Sequence, residues 1–198
     1  ADQQVGLPRE QRQADLMKNY VPAMTAFVNA SLQVWSAALL VTSTSDPLIA
    51  RYAELKILGW KLREVSGLER AAIATAVAGR KPIPPEAVQR IIGYRAQVAQ
   101  AWGLVQGLVS DNTAHPALRA AVAAATEQYF NGFEPLADKM RAVSEAGGTY
   151  PMTAAEWVNT TNPQIDALLR IMYAAGEASE QRTAGMASAA MHAVIVAA

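Results

Sequence analysis

The sequence predicts an all-α protein: an antiparallel up-and-down helical bundle of about five or six helices, with long first and last members. Three observations carry that prediction. Alanine is abundant while Phe, Trp and Tyr make up 7% of the chain, a composition of good helix formers. Apolar residues recur three and four positions apart through most of the length, and no alternating strand pattern survives inspection. Finally, "TSTSDP", "GRKPIPP", "SDNTAHP" and "AGGTYP" punctuate the periodic stretches with residues that stop helices.

The first helix is expected from about residue 10 to 43. Met17, Val21, Met24, Val28, Ser31, Trp35, Ala38 and Thr42 alternate four and three apart, a heptad seam suited to bundle packing. Tyr20, Phe27, Val34 and Val41 widen it on one side. Pro22 falls inside the pattern and should bend the helix or mark its true start. Asp46 can cap the second helix, with Pro47 at its first position, and Gly79 is a plausible stop.

The third helix starts near Pro84 or Pro85 and reaches about Ser110. Its expected stripe is Val88, Ile91, Ile92, Arg95, Val98, Ala99, Trp102, Val105 and Val109. The fourth runs from Pro116 to about Glu145, and Pro135 should kink or split it. "TAAE", Thr153 to Glu156, is a capping-box pattern that opens a short helix containing Trp157. "TTNP" is expected to kink or restart the chain. A last helix then carries Ile165, Leu168, Met172, Ala175, Ser179, Met186 and Ala189 towards the C-terminus.

Composition narrows the function classes. The 17 basic and 17 acidic residues balance, so no basic field attracts nucleic acid. The chain has no cysteine, which removes disulfides and thiolate metal sites. His115 and His192 are the only histidines, and neither sits in a Glu-x-x-His or His-x-x-x-His spacing, so no metal centre is expected. No catalytic motif or Gly-rich phosphate loop is present; neither an enzyme nor a cofactor is expected of this segment.

The C-terminal run is open to two readings. Thr183 to Ala198 carries no formal charge if His192 is neutral. The stretch is too short to span a bilayer, which takes about 20 apolar residues. It resembles the first residues of a spanning helix; the alternative is a small-residue helix end packed in a bundle. The N-terminal "ADQQVGLPREQRQ" is polar and is no signal peptide as it stands, which leaves a preceding signal or anchor open.

One residue on the second helix does not fit an apolar stripe. Glu69 falls in line with Leu62, Val65, Ile73 and Ala76, and a buried carboxylate needs an answering charge. The second and third helices are joined by a short turn centred near Pro82, so they should lie antiparallel and adjacent. Glu69 lies thirteen positions before Pro82 and Arg95 thirteen after it. Arg95 is the one charge on its own helix's stripe, and the two are predicted to form a buried ion pair, with Arg70 flanking.

The same count puts Arg63 opposite Ala101 and near Trp102. Arg63 and Arg70, seven apart, share a helix flank with Ser66 between them. Two guanidiniums, an indole and a hydroxyl in one place would suit a small anion, since arginine donates in a planar fork to carboxylates and oxyanions. Arg63, Arg70, Ser66 and Trp102 are thus the candidate ligand-binding residues. The competing reading is an ion pair that only fixes helix register.

The stretch "LREVSGLERAAIATAVAGRKPIPPE", the following "YRAQVAQAWGLV" and the later "YPMTAAEWVNTTNPQIDALLRI" together resemble the extracytoplasmic helical sensor regions of bacterial transmembrane receptors. These belong to sensor histidine kinases and methyl-accepting chemotaxis proteins, including the nitrate- and nitrite-sensing type. The resemblance runs from about Arg51 onward. It implies one periplasmic helical sensor domain over residues 1–198, held to the inner membrane through flanking helices, and a homodimer. It also implies a small-molecule ligand, an organic acid or oxyanion, whose signal leaves along the first and last helices. Two ends at one membrane require an even number of traverses, so the fourth helix should split at Pro135 or the Trp157 helix should make a short reversal. The other function class left open is a ligand-free dimerisation or docking module of the envelope, in which Arg63 and Arg70 are solvated and no interhelical cavity exists.

Overall fold

A computed structural model describes residues 11, 14–42, 46–110 and 114–197. Half of the "TSTSDP" turn, residues 43–45, and residues 111–113 of "SDNTAHP" lie outside the described residues. Every element among those described is helical. The chain divides into two compact units, Ala1–Pro47 and Leu48–Ala198.

The first unit holds α1, Ala14–Thr42. Pro22 lies inside this helix and does not mark its start. Of the expected seam, the side chains of Met17, Val21, Ala38, Val41 and Thr42 lie outside the described residues. Tyr20, Met24, Phe27 and Val34 are exposed, the last two at 68% and 73%, while Val28 and Trp35 are half-buried.

The second unit begins one residue into α2, Pro47–Gly79, whose buried face runs through Leu55, Leu62, Val65, Ser66, Glu69 and Ile73. The helix ends at Gly79, but the left-handed position falls on the residue after it. Lys81 N–H donates to Ala76 O and Arg80 N–H to Val77 O, both at 3.1 Å, a Schellman closure in which Arg80 takes the left-handed position at φ 49°. The later "AGG" closes α5 in the same way, with Gly147 at φ 65°. A side chain in that conformation costs roughly 1–2 kcal/mol, part of which glycine gives back as unfolded-state entropy. Arg80→Gly is therefore expected to stabilise the fold by about 0.5–1 kcal/mol, read from the urea midpoint. A fall in midpoint would show that the Arg80 side chain contributes more than the strain costs.

Helix α3 is Pro85–Val109, with Pro84 in extended conformation before it. Its buried seam is Ala87, Ile91, Val98, Ala101, Trp102 and Val105. The sequence-based stripe is too wide: Ile92 and Ala99 are exposed. Each lies one residue, about 100°, round the helix from the Ile91–Val98–Val105 line.

Next comes one unbroken helical rod in three registers: α4 (Pro116–Ala125), a π-helical segment (Thr126–Phe133) and α5 (Glu134–Glu145). Of the two expected outcomes at Pro135, a kink or a split, the split does not occur. Instead the turn before it widens, and Glu134 N–H reaches back five residues to Tyr129 O. Pro135 has no N–H to donate, and its ring crowds the carbonyl four residues earlier; the wider register upstream makes room for it.

The last helix, α6, is Ala154–Ala197. Its start is the predicted capping box: Glu156 N–H donates to Thr153 Oγ1 at 3.2 Å, and Thr153 N–H donates to Glu156 Oε2 at 2.7 Å. These bonds hold the Glu156 carboxyl below its ordinary value. "TTNP" does not restart the chain, because Pro163 is accommodated within α6. The acceptor it deprives is the carbonyl of Asn159, on an exposed residue where the loss costs little. The Trp157 helix therefore makes no reversal. Ile165, Leu168, Ile171, Ala175 and Ala178 are buried, but from 181 to 195 every residue is exposed, so the seam does not continue through Met186 and Ala189. Among the described residues no helix is long and apolar enough to cross a membrane.

The buried side chains of α2 to α6 form one cluster, with Leu62, Ile91, Tyr129, Phe133, Trp157 and Leu168 at its centre. Gly59 lets α2 and α6 approach closely: a Cβ there would lie 2.8 Å from Met172 N. At Gly132 of the π segment the neighbour is a side-chain end, Gln164 Nε2, 2.9 Å from where a Cβ would lie.

Candidate functional site

Helix α2 presents polar groups on two flanks. On the first, Glu69 is fully buried, and Arg95 Nε donates to both of its oxygens, at 2.9 and 2.7 Å. Arg95 also pairs with Glu134 Oε1 and Asp138 Oδ1, each at 3.3 Å, and Arg141 joins Asp138 at 3.4 Å. Three acids thus share two guanidiniums across α2, α3 and α5. Glu134, Asp138 and Arg141 were not singled out from sequence. Their spacing of four and three marks one helix flank, but nothing in the sequence said which neighbour it faces.

Burial pushes the Glu69 carboxyl above its ordinary value despite the hydrogen bonds from Arg95. Glu134 is raised for the same reason, again opposed by Arg95. Burial pulls on the Arg95 guanidinium in the opposite sense, but the hydrogen bonds and charge of Glu69 outweigh it and hold the group protonated.

Between the flanks sits Ser66, buried, its Oγ donating to Leu62 O at 2.8 Å. The π segment brings the Tyr129 hydroxyl to it, fully buried and without a hydrogen bond of good geometry. Burial pushes that phenol well above its ordinary value, helped by Glu69 and Glu134. The Tyr129 ring stacks on Phe133 at 5.2 Å and meets Phe130 edge-on at 4.9 Å. Trp102 packs on Phe130, with ring centroids 4.6 Å apart. Trp102 therefore belongs to the aromatic core and not with the arginines.

The second flank faces α6. Arg63 Nε donates to Asp166 Oδ1 at 3.1 Å, and Arg70 donates to Asn162 Oδ1. Six residues separate Arg63 from Glu69, which rotates them about 120° apart round α2. The helix that answers Glu69 thus cannot also answer Arg63, and the expected meeting of Arg63 with Trp102 does not occur. Arg70 Nε is buried without a partner, and burial followed by the charge of Arg63 lowers the affinity of this guanidinium for its proton. Asn162 and Asp166, one turn apart in "TNPQID", are the site residues the sequence reading missed.

Beside Arg63 an open groove of about 800 Å³ is lined by Trp60, Arg63, Asp166, Leu169, Arg170, Met172 and Tyr173. A second hollow, of about 770 Å³, lies against the α2 terminus and the loop before α6, lined among others by Arg80, Tyr150 and Glu156. Among the described residues, no group of three His, Cys, Asp or Glu is placed to hold a metal ion. The groove beside Arg63 is lined by two guanidiniums, a carboxylate and aromatic side chains.

No family model, no curated protein and no solved structure matches this chain.

Proposed function

We propose that this chain is the periplasmic ligand-sensing domain of a transmembrane signalling receptor, of the sensor histidine kinase type. In this reading the helices form an antiparallel up-and-down bundle that takes a small anion between α2 and α6, and membrane helices flank the domain in a homodimeric receptor. One observation carries the reading. Arg63 and Arg70 on α2 are engaged by Asp166 and Asn162 on α6, and α6 runs without a break from those residues to Ala197.

An anion entering this flank competes with Asp166 and Asn162 for the guanidiniums. Exchange of partners alters what holds α2 to α6, and a ligand that binds one arrangement better than the other shifts the balance between them. A small displacement or rotation of α6 then travels along its length, because a continuous helix moves as a rod. The buried Glu69–Arg95 network keeps α2, α3 and α5 together while this happens.

Thermal-shift screening of the purified chain against organic acids, oxyanions and aromatic acids tests the reading. At least one anion should raise the melting temperature. Arg63→Ala should melt close to the parent, since a half-exposed ion pair contributes roughly 0.2–1 kcal/mol, yet lose the ligand response. Silence across the panel, or an unchanged response in Arg63→Ala, would remove the basis for a sensor at this flank.

A further inference from the structure

The groove beside Arg63 carries more information than its charge alone. Arg170 stands in it without an ion-pair partner among the described residues, and Arg63 gives only its Nε to Asp166. The guanidinium nitrogens of Arg170 and the terminal nitrogens of Arg63 are therefore donors with spare capacity on one lining. Asp166 neutralises one of these two cations, which leaves the groove one positive charge in excess.

The other lining residues are apolar or aromatic. Trp60 from α2 and Tyr173 from α6 stand among the charged groups, with Leu169 beside them. Tyr173 is 63% exposed, so its ring is open to a molecule entering the groove. Aromatic faces beside an unpaired guanidinium match a molecule with a flat ring at one end and a carboxylate at the other: the ring lies against Trp60 and Tyr173, and the carboxylate accepts from an arginine fork. The volume of the groove, about 800 Å³, is in the range of small-molecule sites and larger than a bare oxyanion needs.

We infer that the α2–α6 groove binds a monoaromatic carboxylate, with Arg170 and Arg63 taking the carboxylate and Trp60 and Tyr173 flanking the ring. This rests on the sensing role proposed above and names the ligand class for that site. Asp166, displaced from Arg63 by the carboxylate but still on the groove lining, sets the selectivity: it disfavours a second negative charge on the ring and so excludes aromatic dicarboxylates.

Isothermal titration of the whole chain with benzoate, phenylacetate, phthalate and acetate tests the inference, with nitrate and citrate as ring-free anions. Benzoate or phenylacetate should bind, and acetate and phthalate should bind at least tenfold more weakly. Arg170→Ala should weaken aryl-acid binding tenfold or more, and Tyr173→Ala severalfold. Both positions are exposed, and circular dichroism and melting temperature verify that the variants fold. Equal binding of acetate and benzoate, or benzoate binding indifferent to Arg170→Ala, overturns the inference. If aryl acids fail while nitrate or citrate gives an Arg63-dependent response, the aromatic ligand class is wrong and the sensing role stands. If no anion binds, both fall.

Discussion

Arg95→Ala is expected to cost about 3–5 kcal/mol of stability, read as a lower urea midpoint at an unchanged slope. The size of the effect comes from what the substitution leaves behind. Both oxygens of Glu69 accept from Arg95 Nε, and Glu69 has no exposed surface through which water could replace that donor. Arg141 adds a weaker field at Glu69 but is itself bonded to Asp138. Without Arg95, three carboxylates face one guanidinium.

The loss should depend on pH with a definite sign. Glu69 already sits above its ordinary value of 4.5 in the folded protein, so the native state holds its proton more tightly than the unfolded chain does. Such a group contributes stability that is fully present below the unfolded value and lost as pH rises through the folded one. Removing Arg95 raises the folded value further. The deficit of Arg95→Ala should therefore be largest at neutral and alkaline pH and shrink on acidification towards 4.5. Glu69→Gln in the same background should recover part of the loss, because a neutral amide replaces the stranded charge. A deficit below about 1 kcal/mol that does not change with pH would show that the pair is not the anchor of the seam.

The contrast between the two flanks of α2 shows what the sequence could and could not convey. A short turn joins α2 to α3, so counting outward from Pro82 places Glu69 and Arg95 at one height, and both already stand on apolar stripes. No such count links α2 to α6, because two further rods intervene in the chain. The azimuth of Arg63 was therefore open, and Asn162 and Asp166 read only as polar positions near a proline. The π segment left a trace that heptad reading obscures. Ala125, Tyr129, Phe133 and Ala137 are buried at three successive steps of four. On an α-helix each step of four overshoots a full turn by about 40°, so an α-helical rod would carry these residues off one face. A wider turn takes up the overshoot, and Pro135 just beyond marks where the tighter register resumes. The exposed end of α6 was unreadable for a different reason: small residues are compatible with a packed face and with a solvated one.

Trp157→Ala is the second substitution expected to remove about 3–5 kcal/mol, the range for truncating a buried large aromatic side chain. Trp157 lies in the first turn of α6 with no exposed surface. Its ring packs against Phe133 at 5.8 Å, and its Nε1 donates to Arg70 O at 3.0 Å. One side chain thus ties α6 to the π segment and to the part of α2 that carries the arginine flank. Trp157→Phe separates the two contributions: it keeps most of the apolar contact and loses the hydrogen bond, for an expected cost of about 1–2 kcal/mol. An alanine variant that loses less than about 1.5 kcal/mol would mean that neighbouring side chains collapse into the space and that α6 is held elsewhere. The two large substitutions also test whether the π segment acts as one piece. Trp157 reaches it through Phe133, and Phe133 stacks on Tyr129, whose hydroxyl lies beside Ser66 and within the field of Glu69 and Arg95. If the segment loosens as a unit, Trp157→Ala combined with Arg95→Ala should lose less than the sum of the single losses, because the second cut finds the segment already released. Strict additivity would mean that the aromatic cluster and the charge network hold α2 independently, and that a ligand disturbing one flank leaves the other unmoved.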